Sequence, residues 1–106
     1  MITRRQIQEF ADKVAAEFRP QKIILFGSYA YGRPTRHSDV DLLVIMPFRG
    51  SPIVKAVEIE MKMRATFPMD LLVRTPQKVR QRVNLGDWFM RDTVEKGRVL
   101  YETAHA

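Results

Sequence analysis

The stretch that most constrains this chain is Asp39–Met46, DVDLLVIM. After Asp41 every position is apolar, with no alternation of polar and apolar residues. A strand of that kind is buried on both faces, as in a sheet covered by helices on either side. Lys22–Phe26 (KIILF) and Met69–Arg74 (MDLLVR) read as two more short strands.

Helical patterns separate these strands. Ile7, Phe10, Ala11, Val14 and Phe18 recur at helical spacing within Thr3–Phe18, and Thr3 with Gln6 fits a capping box. Pro20 stops that helix. Ser28 reads as the N-cap of a short helical turn reaching Gly32. Ile53–Phe67 carries two signals. Val57–Ala65 alternates strictly, as a strand would, yet its Ala, Glu, Met, Lys and Arg are strong helix formers and the segment is long for a strand. It is read as a helix. Thr75-Pro76 supplies an N-cap with proline at N1 for a helix to Asn84, which Gly86 breaks. Asp87–Lys96 is the last helix, with Gly97 at C′, and Arg98–Glu102 a final edge strand. The order α-β-α-β-α-β-α-α-β predicts an α/β (α+β) fold, a small mixed sheet flanked by helices. Trp88 and Phe89 read as core or as a protein contact, and Met61, Met63 and Met69 as packing residues.

The chain has 106 residues, which fits one domain spanning 1–106 and leaves no room for a separate substrate domain. It has no cysteine, which excludes disulfide frameworks, thiolate metal sites and cysteine nucleophiles. No apolar run is long enough to cross a bilayer, so no membrane role is expected. The first residues, MITRRQ, are not followed by an apolar targeting segment. The expected location is the cytoplasm. The net charge is +6, from 18 Lys+Arg against 12 Asp+Glu. That balance favours polyanionic partners such as nucleic acid, nucleotides or an acidic protein. The arginines are spread along the chain, which a solvated surface explains equally well.

The chemistry concentrates in Gly27–Asp41, GSYAYGRPTRHSDVD. Asp39 and Asp41 lie two apart on a strand, so their side chains leave the same face. Paired carboxylates repel, and at the head of an apolar strand a cation should hold them. Mg²⁺ suits such a pair, since it binds one or two carboxylates together with water and phosphate oxygens. Asp70 opens the Met69–Arg74 strand in the same way. A right-handed crossover makes those two strands parallel, so their starts share one sheet edge. The first strand should run antiparallel and end there too, bringing Gly27 and Ser28 alongside. Glycine allows a phosphate close to the backbone, and the Ser28 hydroxyl with the helical turn behind it makes an anion site. A triphosphate beside paired carboxylates suggests two-metal displacement at phosphorus.

The pattern G-S-x10-D-x-D with a distant third Asp resembles the nucleotidyltransferase superfamily with the DNA-polymerase-beta-like fold. GSYAYG followed by SDVDLLV is similar to its minimal single-domain branch, including antitoxins paired with helical HEPN ribonuclease toxins. The likeness runs from the first helix to GRVLYE. It implies that Asp39 and Asp41 bind two Mg²⁺ ions, and that Asp70 completes the metal site and helps deprotonate the attacking hydroxyl. Gly27 and Ser28 would hold the phosphates of ATP, and Ser38 would buttress the aspartate loop. Tyr31 stands where this branch often has arginine, and Arg33 or Arg36 would supply the missing charge. The implied reaction is Mg-dependent transfer of AMP to a hydroxyl, a tyrosine of the partner toxin. Two other readings stay open: neutralisation of a partner by contact alone, and action on RNA. The shortness of the chain also points to a second protein, a partner or another copy, as the opposite wall of the cleft.

Overall fold

The computed structural model describes residues 1–104, and the last two residues of the expected 1–106 domain lie outside the described residues. The elements in chain order are α1 (Arg4–Phe18), β1 (Lys22–Phe26), α2 (Ser28–Tyr31), β2 (Val40–Ile45), α3 (Pro52–Met63), β3 (Met69–Arg74), α4 (Pro76–Asn84), α5 (Trp88–Lys96) and β4 (Arg98–Glu102). Order and type follow the sequence pattern throughout. The capping box at Thr3 is formed, with Thr3 Oγ1 accepting from the Gln6 N–H and Gln6 Oε1 accepting from the Thr3 N–H. Ser51, Thr75 and Asp87 cap α3, α4 and α5 through their side chains.

The strands form one four-stranded sheet in the order β3-β2-β1-β4. β2 and β3 are parallel, joined through α3, while β1 is antiparallel to both β2 and β4. β2 is buried on both faces, as its composition demands. Val40, Leu42 and Val44 pack with Ile7, Phe10, Ala11 and Val14 of α1 and Ile59 of α3. Leu43 and Ile45 pack on the other face with Ile24, Phe26, Val79 of α4 and Met90 of α5. Two helix layers therefore enclose the sheet, and the polar ends of its strands are left for chemistry.

Four local expectations are corrected. The helix expected over Ile53–Phe67 ends at Met63, with Arg64 left-handed at φ 51°. Beyond the helix end, Phe67 is buried edge-on against Phe10, ring centroids 5.9 Å apart. The alternation in α3 resolves as one fully buried residue, Ile59, with Ala56 and Met63 packed partly buried beside the core and Val57 and Met61 exposed. Met61 is 71% exposed and so does not pack. Gly97 is not left-handed, with φ −66°. Glycine fits there because a Cβ would overlap Ile24 Cγ2 and the Thr93 carbonyl oxygen. Trp88 is not core, being 76% exposed, while Phe89 is partly exposed and meets Phe26 edge-on at 5.5 Å.

Candidate active site

The parallel register sets Asp41 of β2 directly beside Asp70 of β3. On its other side Asp41 pairs with Phe26, the last residue of β1. Directly paired residues share a face, so Phe26, Asp41 and Asp70 form one row on the face covered by α4 and α5. Asp39, just before β2, is exposed at the mouth of that row, and Asp70 is exposed as well. Asp41 is half-buried. Burial raises its pKa above the ordinary 3.8, and the charges of Asp70 and Asp39 raise it further. The protein thus holds a carboxylate where its negative charge is uncomfortable, which is what a cation would relieve.

Gly27 follows Phe26 and adopts φ 74°, ψ −157°, a region essentially reserved for glycine. A Cβ there would overlap Oδ2 of Asp41 and lie 3.0 Å from its Cγ. The Asp41 carboxylate therefore rests directly against the Gly27 backbone. This changes the expected cap: Gly27 occupies the N-cap position of α2, with no side-chain cap, and Ser28 is the first helical residue. The Ala30 and Tyr31 N–H groups donate back to the Gly27 carbonyl at 3.0 and 3.2 Å. Those of Ser28 and Tyr29 precede the first helical bond, as at any helix start.

Ser38 braces the loop that leads into β2. Its Oγ accepts from the Thr35 N–H at 2.9 Å, and its own N–H donates to the Thr35 carbonyl at 3.1 Å. Arg33 and Arg36 are exposed on the same loop, and neither forms an ion pair among the described residues. Tyr29 is occupied structurally, since its hydroxyl accepts from the Ile2 N–H at 3.4 Å and its ring packs on the core. Tyr31 is exposed. Phe89 stands beside this row through its contact with Phe26. Its place beside the site was not evident from sequence, where it reads as core or as a protein contact.

Among the described residues no three carboxylate or imidazole side chains close around one point. The donor set still fits a hard divalent ion. It consists of oxygen ligands at one edge, open on the side where water and phosphate oxygens would complete the shell. The half-buried Asp41 lying against Gly27, with Asp70 beside it, is the observation that supports this fit.

A Gly-Ser turn set against two in-register strand-opening aspartates, on a mixed sheet between two helix layers, defines the class of nucleotidyl-transfer folds. The chain belongs to the nucleotidyltransferase domain family, whose model matches residues 7–103. A Methanocaldococcus jannaschii protein named as a candidate protein adenylyltransferase is 29% identical over 103 residues, covering 95% of this chain and all of that one. Among solved structures, a candidate nucleotidyltransferase from Sulfolobus solfataricus superposes with a TM-score of 0.64 at 17% identity, covering 92% of this chain and 78% of that one. A mutant MntA–HepT toxin–antitoxin structure superposes with a TM-score of 0.53 at 19% identity, covering 98% and 77%. The fold and family expected from the sequence are thereby established, and with them the chain's place among nucleotidyl-transferring enzymes.

Proposed function

We propose that this chain moves AMP from ATP onto a hydroxyl of a partner protein, a tyrosine of a helical HEPN ribonuclease toxin, and so acts as its antitoxin in the cytoplasm. The observation that carries the reading is the in-register pair Asp41 and Asp70 with the Asp41 carboxylate against Gly27. The name of the M. jannaschii relative supports a protein acceptor. The fold likeness to a toxin–antitoxin structure supports the kind of partner.

In this reading residues 1–106 form the catalytic domain. Asp39, Asp41 and Asp70 would hold Mg²⁺, two ions in all, which when bound neutralise the triphosphate and the charge that develops at phosphorus. The Gly27–Ser28 turn would hold the β- and γ-phosphates, with the Ser28 hydroxyl and N–H donating to them, while the space a Gly27 side chain would take is filled by the Asp41 carboxylate. Arg33 and Arg36 are close enough along the chain to add charge at the phosphates. Ser38 keeps the loop braced so that Asp39 and Asp41 enter β2 in fixed register. The acceptor oxygen attacks the α-phosphorus in line. The new P–O bond forms as the bond to the β-phosphate oxygen breaks, and pyrophosphate leaves with that electron pair. The hydroxyl proton passes to the Asp70 carboxylate. Positioning and charge neutralisation supply most of the rate, since no covalent enzyme intermediate is needed.

The test is direct. With ATP and Mg²⁺, the partner should gain the mass of one AMP. Asp39→Asn combined with Asp41→Asn should abolish the gain. Normal modification by that double variant would overturn the reading. Full neutralisation of the partner by the unreactive variant would instead support neutralisation by contact.

A further inference from the structure

A second concavity, of about 350 Å³, lies at the same end of the sheet as the aspartates but opens on the opposite face. Its floor is apolar, made by Ile7 and Leu25, both buried, and the partly buried Leu100. Its rim is cationic, made by Arg4, Arg5 and Arg98, all exposed. Among the described residues none of these three arginines enters an ion pair. The pairs present are Lys22–Glu102, Lys55–Glu58, Lys62–Glu17, Arg82–Asp87 and Lys96–Asp92.

The placement of Arg4 and Arg5 is electrostatically unfavourable for the fold. They open α1, where the helix dipole favours carboxylates, and the first turn of α1 holds no acidic residue. The helix start is already satisfied by Thr3 and Gln6, so the arginines are not needed there as caps. Gln8, in the same wall, has its amide nitrogen engaged twice: it donates to Asp12 Oδ1 at 2.9 Å and to the Leu100 carbonyl at 3.0 Å. Gln8 is therefore tied to β4 and α1, and what remains without a partner among the described residues is positive charge above an aliphatic floor.

We propose that this pocket binds an acidic, aliphatic-containing segment of the acceptor protein, its carboxylates on the three guanidinium groups and an apolar side chain on the floor. The proposal rests on the reading that the acceptor is a protein. Arginine's planar fork suits carboxylates in bidentate pairs. Single-stranded nucleic acid is the weaker match, because its recognition stacks bases on aromatic rings and no aromatic residue lines this pocket. Position supports the same role. Leu25 pairs with Arg98, and the next residue, Phe26, pairs with Asp41. The pocket and the aspartates are thus one residue apart along β1 on opposite faces. A protein wrapped over this end of the sheet touches both, while a nucleotide at Gly27 does not need the pocket.

The test uses the full chain and a short fluorescent peptide of alternating Glu and Leu, with a labelled oligouridylate as comparison, both read by fluorescence anisotropy. The peptide should bind more tightly than the oligouridylate, and its affinity should fall with salt. Arg4→Glu, Arg5→Glu and Arg98→Glu together should weaken it roughly tenfold or more. Mg-ATP binding by that variant should be unchanged, which also shows that it is folded. Single Arg98→Gln and the triple Arg→Lys variant guard against misfolding; the first should weaken the peptide and the second should retain most of its affinity. Equal or tighter binding of the oligouridylate, absence of peptide binding, or peptide binding insensitive to charge reversal would each overturn the proposal. AMP transfer that proceeds normally in the charge-reversal variant overturns the pocket alone. Peptide binding without any AMP transfer by the wild-type chain overturns the reading it rests on.

Discussion

Replacing Gly27 by alanine tests how the carboxylate edge is assembled. Two costs are expected, and they are separable. Gly27 sits at φ 74°, ψ −157°, where an L-residue pays about 1–3 kcal/mol in backbone strain. The added Cβ also overlaps the Asp41 carboxylate, so Asp41 must turn out of its place beside Asp70. In a domain of this size about 1 kcal/mol is worth roughly 4–8 °C, so the backbone cost alone should lower Tm by roughly 5–20 °C. Repeating the change in an Asp41→Ala background removes the overlap and leaves only the strain. The Tm loss should therefore be smaller there, and the difference between backgrounds measures the coupling between Gly27 and Asp41. Thermal denaturation followed by circular dichroism gives all four values, and calorimetric titration of Mg-ATP reads the site itself. If Gly27→Ala leaves Tm within the error of the wild type, the strained backbone is wrong. If the loss is equal in both backgrounds, the carboxylate does not lie against Gly27, and the geometry that carries the proposed function fails with it.

Three further outcomes follow from the same structure. The folded protein holds a proton on Asp41 more readily than the unfolded chain does, so ionised Asp41 costs stability, and that cost appears as pH rises from 3.8 through the raised folded value. Asp41→Asn should consequently be more stable than the wild type at pH 7, with the advantage shrinking toward pH 3.8 in a series of melts; a destabilised Asn variant would contradict the placement. Mg²⁺ should raise the Tm of the wild type but not of the Asp39→Asn, Asp41→Asn chain, by about 1.4 kcal/mol of stability at ten times its Kd; equal shifts in both would remove the metal from these residues. Ile59→Ala should cost about 2–5 kcal/mol, because Ile59 is the buried residue through which α3 packs on the core, and a change within error in urea denaturation would mean that α3 is held by something else.

Much of this protein is legible in its sequence. Caps and breakers marked the helices because they act within a few residues: Thr3 with Gln6, Thr75 with Pro76, Asp87 at α5. The continuous apolarity of Leu42–Met46 announced two helix layers, since a strand with no polar face has no side to give to water. Several of the misreadings involve residues distant in the chain. Phe67, read as the end of α3, lies beyond it and packs on Phe10, far away in the chain. Gly97 reads as a helix terminator, yet its constraint is crowding, partly local from the Thr93 carbonyl and partly from Ile24 of β1. Ser28 reads as a cap, but the cap position passes to Gly27, whose backbone also has a carboxylate from β2 lying against it.

The sequence by itself determined the elements, their order and the identity of the acidic residues, because spacing along a strand decides which side chains share a face. It also placed the family, through a gapped motif no shorter pattern would carry. Only the tertiary structure decided that Asp41 and Asp70 stand in the same register, that Asp41 is half-buried against Gly27, and that three arginines without an ion-pair partner among the described residues surround an apolar floor one residue away on the other face. Those facts depend on how strands slide past one another and which helices cover them. Register and cover are fixed by the fit of the whole core, and no local stretch of the chain contains that information.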